Sequence, residues 1–156
     1  MRRFYTFLAT FGPVGYVPIA PATAGSAVVA LIGWFLWPYR PDILSTAALI
    51  AVGTVIAAWL AGEAEKNLGK DAKPIVVDEA VGQSLALLFV PHSIPAFILA
   101  FLLFRIFDVW KPLGARQIQK MEGGKGVVAD DIIAGLAACA VFHLGWWAVR
   151  AWGWAS

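Results

Sequence analysis

The stretch AVGQSLALLFVPHSIPAFILAFLLF, residues 80–104, decides the topology of this chain. It contains no Asp, Glu, Lys or Arg. A helix of about 20 apolar residues, within a range of about 17 to 25, crosses a bilayer, so length alone permits a single span. Pro91, His92 and Pro95 stand near its middle. Proline has no N–H to donate inside a helix and disfavours helical backbone in the residue before it. The stretch therefore reads as two short helices, 80–90 and 96–107, joined by a turn at 91–95.

Charge supports that division. With Arg2 and Arg3 in the cytoplasm and about five membrane-embedded helices, segments 61–79 and 105–131 fall on the side of the N-terminus. Together these regions hold ten of the twelve Lys and Arg residues, and Arg40 and Arg150 fall on the other side. Basic residues favour the cytoplasmic face. A single kinked span would put 61–79 and 105–131 on opposite faces and erase most of this bias.

Three other stretches lack charged residues: 4–39, 43–62 and 132–149. The last two fit one span each. The first is interrupted by Gly12, Pro13, Gly15, Pro18 and Pro21, leaving a clean helix at 25–37 that Thr23 and Ala24 can extend. The chain is 60% hydrophobic and 14% charged, against about 25% charged in an ordinary soluble domain. Its mean hydropathy is +0.74. The expectation is an all-α, polytopic integral membrane bundle with a cytoplasmic N-terminus, forming one domain over residues 1–156. Arg2 and Arg3 precede no convincing cleavage site, so no removable signal peptide is expected. Trp34, Trp37, Tyr39, Trp146, Trp147, Trp152 and Trp154 gather near the far interface, as an aromatic belt would. The single cysteine, Cys139, is a small packing residue. The net charge of +2 says little by itself, and no nucleic-acid partner is expected.

Five of the ten carboxylates stand where apolar runs begin or end: Asp78, Glu79, Asp108, Asp130 and Asp131. An acid at a membrane edge is costly unless something uses it, and carboxylates suit a hard divalent cation such as Mg²⁺. Asp78 and Glu79 open a helix, where acids also cap and complement the helix dipole. Asp130 and Asp131 repeat that situation before Ile132. Arg105 and Asp108, three apart, share a helix face. They form a structural ion pair or divide the work, Asp108 on a metal and Arg105 on a phosphate oxygen. Both readings stand at this point.

Other polar groups carry less. Thr23 is placed to cap the first clean helix, with Ser26 one turn on. Gly123-Gly124-Lys125-Gly126 lacks the residues of a Walker loop and reads as a basic, exposed turn. Glu63, Glu65, Lys66 and Lys70 read as a solvated helix end with i,i+3 and i,i+4 pairs. His92 and His143 lie away from the acids. Neither a Ser-His-Asp arrangement nor zinc-type Cys/His spacing is present in the sequence.

Read together, the segments Pro21-Ala22-Thr23-Ala24-Gly25-Ser26, Ile75-Val76-Val77-Asp78-Glu79, Phe104-Arg105-Ile106-Phe107-Asp108-Val109-Trp110-Lys111-Pro112 and Asp130-Asp131-Ile132-Ile133-Ala134-Gly135 resemble, in order and spacing, the phosphatidylglycerophosphatase A family of bacterial membrane lipid phosphatases. One departure is Ala22, where the family has glycine. The resemblance implies a Mg²⁺-dependent phosphomonoesterase at the cytoplasmic face of the inner membrane. It would convert phosphatidylglycerophosphate to phosphatidylglycerol and inorganic phosphate. The implied metal ligands are Glu79, Asp108, Asp130 and Asp131. Asp78, Asp108, Arg105 and Lys111 make up the expected catalytic set, and Thr23, Ser26, Arg105 and Lys111 would engage the substrate. Water and an aspartate both remain open as nucleophile. The rival expectation is a small ion- or proton-coupled transporter, which would place ionisable groups near mid-span rather than at one edge.

Overall fold

The computed structural model describes residues 2–39, 41–110 and 124–153, so Arg40, Lys111, Gly123 and Trp154 lie outside the described residues. The described residues are helical throughout their regular structure, with no strand among them. The helices are α1 (Arg2–Ala9), α2 (Pro21–Leu36), α3 (Ile43–Leu68), α4 (Val77–Ala86), α5 (Ile94–Trp110) and α6 (Lys125–Ala151). Three reach spanning length and hydropathy: Pro21–Tyr39, which is α2 with its 3₁₀ extension, then α3 and α6. At 1.5 Å per residue, α4 is about 15 Å long and α5 about 26 Å, both short of a roughly 30 Å hydrocarbon layer. Leu49, Val52, Val55 and Ile56 on α3 are exposed, an apolar surface suited to lipid.

Residues 80–104 do split into two helices. The break is a turn over 87–90, with Phe89 at φ +59°, followed by Pro91. Pro95 falls in the first turn of α5, where its missing N–H costs nothing. Two other starts differ from expectation. Helix α2 begins at Pro21 rather than near Gly25, so Thr23 lies inside its first turn and does not cap it. The left-handed residue at this entry is Ala20, at φ +53°, whereas Ala22 is helical and unstrained despite the family's glycine there. Helix α6 begins at Lys125, so Asp130 and Asp131 lie in its second turn and cannot be capping residues.

The start of α6 is set from a distance. Gly124 takes φ +73° and lies so close to α3 that a Cβ there would meet the Ala58 carbonyl at 2.6 Å. Its N–H donates to Glu65 Oε2 at 3.0 Å. Gly124 and Gly126 are buried, which corrects the reading of 123–126 as an exposed turn. Lys66 pairs with Glu63 as expected, but Glu65 is occupied in ordering this junction and the Asp71 N–H.

Helix α4 is the central element, packed against α2, α3, α5 and α6. Small residues let it approach closely. A Cβ at Gly82 would overlap the Phe104 ring of α5 and stand 2.7 Å from the Asp131 carbonyl of α6. Gly135 of α6 lies directly on the Gly82 carbonyl. Farther along, His143 Nε2 bonds the Leu88 carbonyl at 2.8 Å, so α4 and α6 run parallel. Gly25 packs on Val76 and Gly33 near Leu87, so α2 runs parallel to both. The order Phe104 against Gly82 and Phe97 beside Leu87 makes α5 antiparallel. At the end remote from the acids, His92 meets Trp34 and Trp37, with ring centroids 4.0 and 5.7 Å away.

An apolar cleft of about 920 Å³ opens where α2 and α3 diverge, lined by Val29, Gly33, Ile50, Val81 and Leu87 among others. It lies on the face of α4 that carries Val77, Val81 and Ser84. Asp78 and Glu79 fall on other sides of that helix, so this cleft is not where the acids meet.

Candidate functional site

Each acid pair reaches the site because its helix passes close to another. Val76 donates its N–H to the Ala9 carbonyl at 2.9 Å, which fixes the entry of α4. Asp78 and Glu79 then occupy the first turn of α4, where the helix dipole favours negative charge. Their side chains do not fill the cap position, which belongs to Val76. Both are buried instead. The contact of Gly82 with Gly135 and the Asp131 carbonyl brings α6 alongside. From α5, Asp108 enters at the same end of the bundle, one turn beyond Phe104.

The result is a carboxylate cluster. Ligand atoms of Asp78, Glu79 and Asp131 lie within 4.8 Å of one another, as do those of Asp108, Asp130 and Asp131. Asp131 belongs to both groups. All five acids are buried, none more than 9% exposed. Arg105 Nη1 donates to Asp108 Oδ2 at 2.6 Å and to Ser26 Oγ at 3.4 Å. Ser26 in turn donates to the Ala22 carbonyl at 2.9 Å. The ion pair between Arg105 and Asp108 therefore exists, and α2 helps orient it. It does not exhaust the guanidinium, because the buried Arg105 Nε has no partner among the described residues.

Among the described residues, Arg105 is the cation paired into a group of five buried carboxylates, and burying a charge without compensation is very costly. Asp78 Oδ1, Glu79 Oε2 and Asp131 Oδ2 are buried without a hydrogen-bond partner among the described residues. Clustered oxygen ligands, three of these oxygens without a partner among the described residues, fit a hard divalent cation.

The structure thus brings together Asp78, Glu79, Asp108, Asp130, Asp131, Arg105 and Ser26 of the residues expected from sequence. Thr23 stands one turn before Ser26 on α2, half-buried, and Lys111 lies outside the described residues. One further residue joins them. Gln83, one turn after Glu79, is fully buried, and neither Oε1 nor Nε2 has a partner among the described residues. Sequence reasoning passes over it. The available signal was an amide four residues beyond an acid in an otherwise apolar helix.

An all-helical bundle with three candidate spans, holding buried acids and an arginine at one end, defines an integral membrane protein with a buried, highly polar cluster. The profile of the family described as Phosphatidylglycerophosphatase A matches residues 7–146. The chain belongs to that family and is a phosphatase. It is 38% identical to the Bacteroides thetaiotaomicron protein named "Putative phosphatidylinositol-3-phosphatase", over 86% of this chain and 89% of the relative. It is 33% identical to phosphatidylglycerophosphatase A of Escherichia coli, over 83% of this chain and 76% of the relative. Identity to the Haemophilus influenzae phosphatidylglycerophosphatase A is 32%, over 85% and 83%. No solved structure matches. Family membership and acids at one end of the helices leave the transporter reading without support.

Proposed function

We propose that this protein hydrolyses phosphatidylglycerophosphate to phosphatidylglycerol and inorganic phosphate, using Mg²⁺, at the cytoplasmic face of the bacterial inner membrane. The observation that carries the reading is the pair of carboxylate triads sharing Asp131, beside an arginine whose Nε has no partner among the described residues. Kinship with two phosphatidylglycerophosphatases supplies the substrate class. The diacyl tails stay in the bilayer while the terminal phosphate meets the acids at the helix ends.

Mg²⁺ would be held by Glu79, Asp108, Asp130 and Asp131, with Asp78 a further ligand. When bound, it supplies positive charge against the phosphate oxygens and polarises the ester. Arg105 contributes a fixed donor. Asp108 and Ser26 hold its Nη1, which leaves Nε–H to meet a phosphoryl oxygen. A donor held in advance of the reaction stabilises developing charge without reorganising. Burial strengthens each of these contacts by excluding water. Lys111, three residues after Asp108 in the sequence and outside the described residues, keeps its proposed place on the phosphate. The attacking group is a water or an aspartate of the cluster.

Purified protein in detergent with phosphatidylglycerophosphate tests this. Phosphate release is expected with Mg²⁺ and is expected to stop with EDTA. Absence of release under every divalent-ion condition would remove the proposed activity, and undiminished release in EDTA would remove the metal.

A further inference from the structure

We propose that Gln83 recognises the polyol of the lipid headgroup through its free secondary hydroxyl, and so sets substrate specificity. The assignment rests on the phosphatidylglycerophosphatase reading above. Gln83 is wholly buried, yet its amide has no partner among the described residues at either the oxygen or the nitrogen. Buried polar side-chain atoms are nearly always satisfied, and leaving them bare is costly. An amide with both ends unpaired in a packed helix calls for a ligand that can both accept and donate.

Position narrows the chemistry. Glu79 and Gln83 are four apart and share a face of α4. Val76 against Gly25 and Leu87 against Gly33 place α2 along the neighbouring stripe, and Phe104 of α5 closes the side at Gly82. Gln83 therefore points between helices rather than to lipid. Helix α4 runs parallel to α6, away from the acid end, so Gln83 lies about 6 Å deeper than Glu79. A substrate whose tails lie in the bilayer and whose terminal phosphate sits among the acids presents its linking polyol at that depth. Phosphate and metal are served by the carboxylates and Arg105, all charged. A neutral amide, donor and acceptor at once, matches a hydroxyl.

The experiment compares two substrates: phosphatidylglycerophosphate, and the analogue whose headgroup glycerol is replaced by propane-1,3-diol and lacks the secondary hydroxyl. The wild-type protein is expected to show a kcat/KM about tenfold to a hundredfold higher on the hydroxyl substrate. Gln83→Met, similar in length and shape, should lose that preference, its kcat/KM falling at least about tenfold more on the hydroxyl substrate than on the analogue. Gln83→Asn, which shortens the reach, should reduce the preference in part. Equal wild-type rates on both substrates, or an equal loss on both in Gln83→Met, would overturn the assignment and leave the phosphatase reading standing. No phosphate release from either substrate by wild-type protein would overturn both. The comparison between substrates in wild-type protein stands even if the methionine variant fails to fold.

Discussion

Asp131 is the residue on which the site turns, because it is the one carboxylate common to both triads. Its Oδ2 is buried without a partner among the described residues, so in the absence of a cation it is a cost to the fold. Asp131→Asn should lower kcat/KM by at least about 10²-fold, the scale of losing one pre-placed electrostatic contact. The same substitution should raise the thermal midpoint in EDTA above that of wild-type protein, since it removes a buried charge. Wild-type protein should gain stability on adding Mg²⁺ and the variant much less, by mass action on the folded state. A midpoint for the variant below wild type in EDTA would show that Asp131 has a structural partner instead. Arg105 offers a second check. Lysine keeps the charge but cannot hold Asp108 and a phosphate oxygen with the fork of a guanidinium. Arg105→Lys is therefore expected to lose about tenfold or more in kcat/KM, and an unchanged value would remove the clamp. At this scale the charged residues were legible, because an acid or arginine stands out in a chain this apolar. Gln83 was not, because its burial depends on where α2 and α5 cross α4, and nothing local encodes that crossing.

Elements are positioned here by glycine contacts as much as by hydrophobic burial. Gly135 lies on the Gly82 carbonyl, so a methyl at 135 would force α4 and α6 apart. That movement would separate Asp131 from Asp78 and Glu79. Gly135→Ala should destabilise by about 1–3 kcal/mol, as overpacking does, and should also reduce activity. Gly53→Ala is the control: a Cβ there meets nothing within 4 Å, and alanine in a helix interior gains about 0.5–1 kcal/mol over glycine. Thermal unfolding of the two variants in one detergent decides the matter, and equal effects would remove the close approach as their cause. The start of α3 carries a pH dependence. Asp42 accepts from the Ser45 hydroxyl and from the N–H groups of Ser45 and Leu44. These bonds, the Ser45 hydroxyl first, hold its carboxyl below the ordinary value of 3.8. A lowered carboxyl stabilises the folded form above that ordinary value and loses the contribution as pH falls through the folded-state pKa. Amide exchange at Leu44 and Ser45 should therefore quicken on acidification below the usual carboxylate range, and Asp42→Asn should flatten the response. The two helices of residues 80–104 were legible because Pro91 and Pro95 act locally. The start of α6 was not, since Gly124 is set by Glu65 and the backbone of α3, about sixty residues away in sequence.

At the scale of the molecule, the acids, the first turn of α6 and the Glu63–Lys66 pair occupy one end of the bundle. The cluster of Trp34, Trp37 and His92 marks the other. Lys66 and Arg2 flank the acid end, where α1 packs against α3 and Asn67 bonds Thr6 at 3.0 Å. If basic residues mark the cytoplasmic side, the substrate phosphate is cleaved there and the far-side loop near Pro41 faces the periplasm. Helix α3 makes this testable, because Asn67 and Pro41 lie close to its two ends. In a background with Cys139 replaced by Ala, a cysteine at Pro41 should react in intact cells with a membrane-impermeant maleimide. A cysteine at Asn67 should react after the inner membrane is opened. Asn67 is exposed in the bundle, so failure to label in intact cells would reflect the membrane and not burial. Labelling of position 67 but not 41 in intact cells would invert the protein and place the acids on the outer side. Phosphate would then be released on that side, and a proposed cytoplasmic reaction would have to be abandoned.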